Sequence, residues 1–183
     1  MIPTSIQDKS SIHEGLKAQY HTLLGWLKAH PLEKFSEKRY PDKWTVGQHA
    51  YHLIQSTEPL NQALALPKLA IRGLFGKKNE RPERSYEELV LYYQDKLSKG
   101  GRAPDRFEPP LITNDQKTTI LEKLSEELKN LEANLEKWDE GQMGKYLLPH
   151  PLMGKLTIRE MLFFTIYHTG HHHKILIEKY SPL

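Results

Sequence analysis

The sequence contains no cysteine among its 183 residues. This absence excludes disulfide bonds, zinc sites built from thiolates and a cysteine nucleophile, because each of them needs the sulfur atom. It does not fix the cellular compartment, since a chain without cysteine is stable under oxidising and reducing conditions alike. If the function involves a thiol, that thiol must therefore come from a small molecule.

Long hydrophobic runs are also missing. The longest run, at residues 161–166, is far shorter than the ~20 residues that a helix needs to cross a bilayer. The first residues lack the basic start and the apolar stretch of a signal peptide. We therefore expect a cytoplasmic protein that does not enter a membrane.

Charge of one sign is not concentrated anywhere. The formal net charge is +3, from 26 basic and 23 acidic residues that are mixed along the chain. A nucleic-acid-binding protein usually gathers its positive charge on one face or in one tract. The densest basic tract is interrupted by two glutamates and reads Lys77, Lys78, Glu80, Arg81, Glu83 and Arg84. This pattern predicts a solvated loop and no nucleic-acid partner.

What the chain does have is helical hydrophobic spacing, in four long segments near residues 10–29, 45–66, 118–138 and 157–179. A shorter helix is predicted at 85–98. Capping boxes, in which a Ser or Thr and a Glu or Gln three positions later bond each other's backbone amides, begin at Thr45, Ser85 and Thr157. Pro59 lies inside the second segment and predicts a bend or break there.

The two connections richest in glycine, proline and charge, at residues 73–84 and 100–115, both fall between the second and third long helices. The pattern predicts an all-α protein with one domain over residues 1–183, folded as a four-helix bundle with one long crossover. We expect the second and fourth long helices to pack side by side, because histidines on both could then meet.

Six of the ten histidines fall in two clusters, His49 and His52 on the second helix and His168, His171, His172 and His173 on the fourth. Residues four apart lie one turn apart on the same face of a helix, so His168 and His172 point together. Neutral imidazole is a favoured ligand of zinc, nickel and ferrous iron. A third ligand would come from His49 or His52, although histidines on an apolar face are also common as hydrogen-bonded core residues.

Three segments have a recognisable order and spacing. Residues 44–53 read WTVGQHAYHL, residues 150–157 read HPLMGKLT, and residues 167–175 read YHTGHHHKI. They resemble the WSxxE-hxxHL signature, the HPxxGxxT helix entry and the closing HxxxH helix of the DinB-like (damage-inducible protein) superfamily. The resemblance implies a four-helix bundle of up-down-down-up topology, often a homodimer, that holds a metal ion with three histidines.

Carried over position by position, the resemblance implies that His52, His168 and His172 are the metal ligands. His49 is one turn earlier than the matching ligand position and is interpreted as a neighbour of the site. Where many members of the family carry HHRGQ, this chain has His171-His172-His173-Lys174-Ile175. This departure could alter what lies beside the metal, and hence the preference for a substrate.

The resemblance implies two kinds of function. One is a metal-dependent enzyme, a thiol-S-transferase or a hydrolase, in which an open three-histidine site lowers the pKa of a thiol or a water molecule so that it attacks a small-molecule substrate. No general base can be named. His49 or His171 could orient the metal ligands, and His150 could stand at the mouth of the site. The alternative is a non-catalytic stress-related bundle that binds a metal or a small ligand.

Overall fold

The computed structural model describes residues 6–76, 81–102 and 104–181. The four long helices are α1 (Lys9–Ala29), α2 (Val46–Ala65), α5 (Lys117–Leu135) and α7 (Ile158–Tyr180). Between them lie α3 (Lys68–Phe75), α4 (Tyr86–Ser98) and the single turn α6 (Glu140–Met143). Two short strands, β1 (Leu147–His150) and β2 (Gly154–Thr157), form an antiparallel hairpin before α7. Short 3-10 turns occupy Leu32–Lys34, Asp105–Phe107 and Asn114–Gln116.

Contacts between helix ends define the directions of the four long helices. The Lys117 ammonium at the start of α5 donates to the His30 carbonyl at the end of α1, so these two helices are antiparallel. The Trp138 indole just after α5 donates to the Leu64 carbonyl at the end of α2, so α2 and α5 are parallel. The Arg159 guanidinium at the start of α7 donates to the Gln7 carbonyl, so α7 runs parallel to α1. The predicted up-down-down-up bundle is confirmed.

The core lies between these helices and is made of leucine, isoleucine and aromatic side chains. Each long helix contributes residues at spacings of three and four, for example Leu16, Tyr20 and Leu23 on α1, all 0% exposed. The Tyr20 hydroxyl lies 2.7 Å from the Thr57 hydroxyl of α2, which satisfies both groups inside the core. The all-α prediction is therefore confirmed, with the hairpin as a small addition at the edge.

Pro59 does not break α2, although the sequence predicts a bend or a break there. The helix is continuous over Val46–Ala65 even though Pro59 has no N–H to donate. Packing against α5 holds the segment after Pro59 in place, because the Asn61 amide donates to the Glu127 carbonyl at 2.9 Å and the Asn134 amide donates to the Asn61 carbonyl at 3.1 Å. Tertiary contacts thus outweigh the local cost of the proline.

The described part of the basic tract, residues 81–84, also differs from the solvated loop that the sequence predicts. Lys77, Lys78 and Glu80 lie outside the described residues. Arg81 and Arg84 are half-buried and form ion pairs with Glu160 at the start of α7. Within the described residues, no helix is both long and apolar enough to traverse a bilayer.

Candidate functional site

The antiparallel packing of α2 against α7 brings three predicted histidines together. His52 Nε2 lies 3.3 Å from His168 Nε2, and His168 Nε2 lies 3.0 Å from His172 Nε2. One nitrogen from each ring can be chosen so that all three lie within 4.8 Å of one another. The three side chains are buried, each at most 6% exposed. The i,i+4 spacing on α7 and the expected helix pair therefore place these residues as predicted.

This arrangement fits a divalent transition-metal ion. Two nitrogens bound to one ion at about 2.0–2.1 Å stand about 2.9 Å apart at a right angle and about 3.4 Å apart in a tetrahedron. The two observed Nε2 separations fall inside that interval. Three imidazoles suit zinc, nickel and ferrous iron, and they leave at least one coordination position open. The group can hold a metal ion, although its role as a metal centre stays a prediction.

Hydrogen bonds on the far side of two rings fix their orientation. His52 Nδ1 lies 2.8 Å from the Phe107 carbonyl, which can only accept, so this nitrogen carries the proton and Nε2 keeps its lone pair. His172 Nδ1 lies 2.8 Å from Nδ1 of His49. A ligating histidine commonly uses its second nitrogen in this way. The Phe107 carbonyl comes from the long crossover, which explains how that segment takes part in the site.

The electrostatics keep these imidazoles neutral. Burial holds the pKa of His168 and of His172 well below the usual 6.5, and the neighbouring histidines lower both further because two adjacent imidazolium ions repel. Burial also lowers the pKa of His52, against the opposing hydrogen bond to Phe107, and lowers that of His49 to about 3. Since a metal ligand must have a free lone pair, these four rings are in the right protonation state at neutral pH.

Aromatic rings enclose the histidines, and this part of the site was missed by the sequence reasoning. The half-buried Trp44 lies parallel to His172 with ring centroids 6.1 Å apart, and its centroid lies 4.7 Å from that of His52. Phe164 stacks on His168 at 4.8 Å. Trp44 opens the quoted motif at residues 44–53, so its place in that motif was the available signal.

A cavity of about 570 Å³ adjoins the histidines, and its lining includes His52 and His168. Its walls are largely apolar and aromatic, with Tyr93, Phe107, Leu148, Met161 and Phe164 among the lining residues. A cavity of this size and character is typical of a small-molecule site. Two of the three histidines, His52 and His168, therefore border the cavity, so a small ligand bound in it would lie beside the histidine group.

The other predicted neighbours have different positions. His150, in β1, lines the cavity and stacks edge-on against Phe164 at 4.4 Å. Its Nδ1 accepts the N–H groups of Leu152 and Met153 at 3.1 and 3.2 Å, so its ring proton is on Nε2. His171 stacks on Tyr167 at 5.9 Å, and in the described structure it has no hydrogen bond to the three converging histidines. Of the three predicted neighbours, His49 is the one bonded to the group.

The comparison with protein families agrees with this geometry. A family model described as the DinB superfamily matches residues 16–176, which is most of the chain and includes all three converging histidines. The chain belongs to the DinB superfamily. Neither a curated protein nor a solved structure matched it. This DinB-superfamily chain thus has the helical bundle and a histidine group able to hold a metal ion.

Proposed function

We propose that this protein binds one divalent transition-metal ion with His52, His168 and His172 and uses it to activate a small thiol against an electrophilic substrate held in the adjoining cavity. The observation that carries the proposal is the convergence of three buried, neutral imidazoles beside a cavity of about 570 Å³. Such an ion would act as a Lewis acid that lowers the pKa of the molecule in its open position.

The surroundings of the site favour a thiol over water. Glu58 is the one carboxylate among the described residues that line the cavity, and it is exposed. Hydrolysis would therefore lack a buried general base. A thiol with a pKa near ~8.5 needs a shift of only about two units to ionise at neutral pH, whereas water starts near ~15.7. The thiol has to be a small molecule, because the chain has no cysteine.

In the proposed transfer, the thiol loses its proton to solvent, and its sulfur forms a bond to an electrophilic carbon while the leaving group departs with the bonding electron pair. The apolar walls hold the substrate and keep water away from that carbon. His150 has a pKa of about 4 because it is buried, and its Nδ1 lone pair already accepts two backbone N–H groups, so it is a poor base. Its Nε2–H is the ring donor left for a polar group of a bound substrate.

The first experiment measures zinc content and affinity in protein without a polyhistidine tag. We expect one zinc ion per chain. His168→Ala should weaken zinc binding by about 100- to 1000-fold, since sharing the roughly 10–16 kcal/mol of a four-ligand zinc site among its ligands gives about 2.5–4 kcal/mol each. His21→Ala, on the exposed surface of α1, is the control and should bind zinc as the wild type does. An unchanged affinity in His168→Ala would exclude this ligand set.

The same site predicts how metal and acid act together. Protons compete with the ion for three imidazoles, and burial lowers the pKa of each of them in the folded protein. Stabilisation by the metal is therefore fully present at pH 7.5 and is lost only as the pH falls through these lowered pKa values. With zinc at about 100 times its Kd, a chelator should remove about 2.7 kcal/mol at pH 7.5, or roughly 5–10 °C in Tm, and progressively less as the pH falls further. A shift that does not depend on pH would argue against histidine ligands.

Activity is tested with small thiols and an activated aryl halide, and separately with aryl esters in the absence of thiol. Thiol-dependent turnover that disappears in His168→Ala supports the transferase. Ester hydrolysis without thiol would replace it with the hydrolase alternative. Stoichiometric zinc with no turnover of either kind would favour the non-catalytic binding bundle, which the lack of a buried carboxylate among the described lining residues also suits.

A further inference from the structure

His49 makes a contact that its place in the sequence does not require. It lies three residues before His52 on α2, and its Nδ1 is 2.8 Å from Nδ1 of His172 on α7. The antiparallel helices thus match two pairs, His49 with His172 and His52 with His168, one helical turn apart. Both His49 and His172 are 6% exposed, so water competes poorly for this bond.

One proton lies between the two Nδ1 atoms, and its owner determines what His172 can do. A neutral imidazole has one N–H and one lone pair. If the proton belongs to His49, His172 accepts it on Nδ1 and must carry its own proton on Nε2, which then cannot bind a cation. If the proton belongs to His172, its Nε2 has a free lone pair directed at His168, 3.0 Å away. Only the second arrangement leaves the Nε2 lone pair of His172 free to bind a metal ion together with the Nε2 atoms of His52 and His168.

We propose that His49 is a positioning residue that accepts the Nδ1 proton of His172 and so holds the Nε2 lone pair of His172 towards the metal ion. This inference rests on the proposed metal site. His49 then has its own proton on Nε2. The Phe107 carbonyl likewise accepts the Nδ1 proton of His52, with 2.8 Å between the nitrogen and the oxygen. Two of the three ligands thus have a fixed tautomer, one through a backbone carbonyl and one through an imidazole.

Because His49 is a neutral acceptor for the Nδ1 proton of His172, it adds no negative charge to the metal site. A carboxylate in this position would add negative charge and make His172 a stronger electron donor. In the part of the chain that the structure describes, no carboxylate is hydrogen-bonded to His52, His168 or His172. The net charge of the ion is therefore not reduced by its ligands or their partners. This favours a strong Lewis acid, which is what activation of a thiol needs.

The test compares two substitutions of nearly equal shape. In His49→Asn the side-chain oxygen takes the place of Nδ1 and can accept the proton, whereas His49→Leu has no acceptor. Zinc affinity, measured by chelator competition, should fall about 10- to 100-fold in His49→Leu and by less than about fivefold in His49→Asn. His21→Asn, on the exposed surface of α1, is the control and should leave the affinity within about threefold of the wild type.

A second readout locates the protons directly. Long-range 1H–15N NMR spectra of the zinc-loaded wild type should show His172 protonated on Nδ1 and His49 protonated on Nε2. A proton on Nδ1 of His49, or equal losses of affinity in His49→Asn and His49→Leu, would overturn the inference. If His49→Leu does not fold, the NMR assignment and His49→Asn decide. A wild type that binds no zinc removes the proposed function and this inference together, whereas normal zinc binding by His49→Leu removes the inference alone.

Discussion

Two buried polar clusters on α7 are built in opposite ways. At the first turn of the helix, Glu160 is 0% exposed and is surrounded by donors. The Arg81 guanidinium binds both of its oxygens at 2.6 and 2.7 Å, and the backbone N–H groups of Arg84 and Thr157 donate at 3.0 and 2.9 Å. Burial alone raises the pKa of Glu160, but these hydrogen bonds and the arginine charge outweigh it and lower the pKa. The buried charge of Glu160 is thus paired with two arginines.

The histidine cluster, two to three turns later, has no charged hydrogen-bond partner among the described residues. Its rings are neutral, and three ring nitrogens face one another with separations of 3.0 and 3.3 Å for the two closest pairs. A single proton can form a hydrogen bond between two of these nitrogens, but the lone pair of the third nitrogen then lacks an ideal donor. A cation satisfies all three. The difference shows that a buried polar cluster stabilises a fold when its charges are balanced, and indicates a ligand site when its lone pairs converge.

The largest effect on the free energy of unfolding is expected for Glu160→Gln. The change keeps the shape but removes the charge that balances Arg81 and Arg84, and breaking a buried pair costs about 3–5 kcal/mol. Because both arginines are partly exposed, we expect the lower end, about 3 kcal/mol, in urea unfolding. Zinc affinity should stay within about threefold. Glu140→Gln, at a half-exposed pair with Arg159, is the control and should cost less than about 1 kcal/mol.

If zinc affinity fell in Glu160→Gln as strongly as it does in His168→Ala, the two clusters would be coupled and the comparison would fail.

An effect of intermediate size is expected at His150, which lowers the free energy of unfolding as the pH falls. Its pKa is about 4 in the folded protein because it is buried, and about 6.5 when unfolded. The unfolded state therefore binds the proton first, so this residue contributes no acid penalty above pH ~6.5 and destabilises progressively as pH falls towards 4. Between pH 8 and pH 5 the loss is about 2 kcal/mol. His150→Asn keeps an acceptor for the Leu152 and Met153 amides and should remove that part of the acid sensitivity.

The measurement is the free energy of unfolding of metal-free protein at both pH values. His21→Asn, with an exposed side chain, should show the same pH dependence as the wild type. If His150→Asn also kept the pH dependence of the wild type, His150 would not be a buried neutral ring. Its assignment as an N–H donor in the cavity wall would then be wrong.

Local patterns in the sequence predicted well. The three capping boxes at Thr45, Ser85 and Thr157 are all present, because a capping box depends on residues only three positions apart. The meeting of His52, His168 and His172 was predictable from helical spacing on α7 and from the family signature on α2. Both kinds of evidence are short-range or carried over from known relatives.

Contacts between distant segments could not be predicted. The ion pair of Arg81 with Glu160 joins residues 79 positions apart, and the hydrogen bond of His52 with Phe107 joins residues 55 positions apart. Neither segment has a local pattern that points to the other. The hairpin of β1 and β2 was also missed, although Gly154 at its turn has a φ of +74°, a conformation that favours glycine. The Gly in the quoted residues 150–157 was the available signal.

The smallest expected effect is at Gln48, where the family signature has glutamate. Gln48 is 6% exposed; its oxygen accepts the Thr45 N–H at 3.0 Å, and its amide donates to the Pro109 carbonyl at 3.2 Å. In Gln48→Glu, a carboxylate at the helix start gains about 0.3–1 kcal/mol. Losing the donor leaves a buried carbonyl unpaired, which costs about 1–3 kcal/mol. We therefore expect Gln48→Glu to be about 1 kcal/mol less stable at pH 7 in urea unfolding, and the deficit should shrink at pH 4, where a protonated carboxyl can donate to Pro109 again.

Glu88→Gln, the same capping position on an exposed surface, should change stability by less than about 0.5 kcal/mol. A stabilised Gln48→Glu would mean that the helix-terminal field outweighs the hydrogen bond to the crossover, and that a charge can be placed one turn before His52 without a counter-charge.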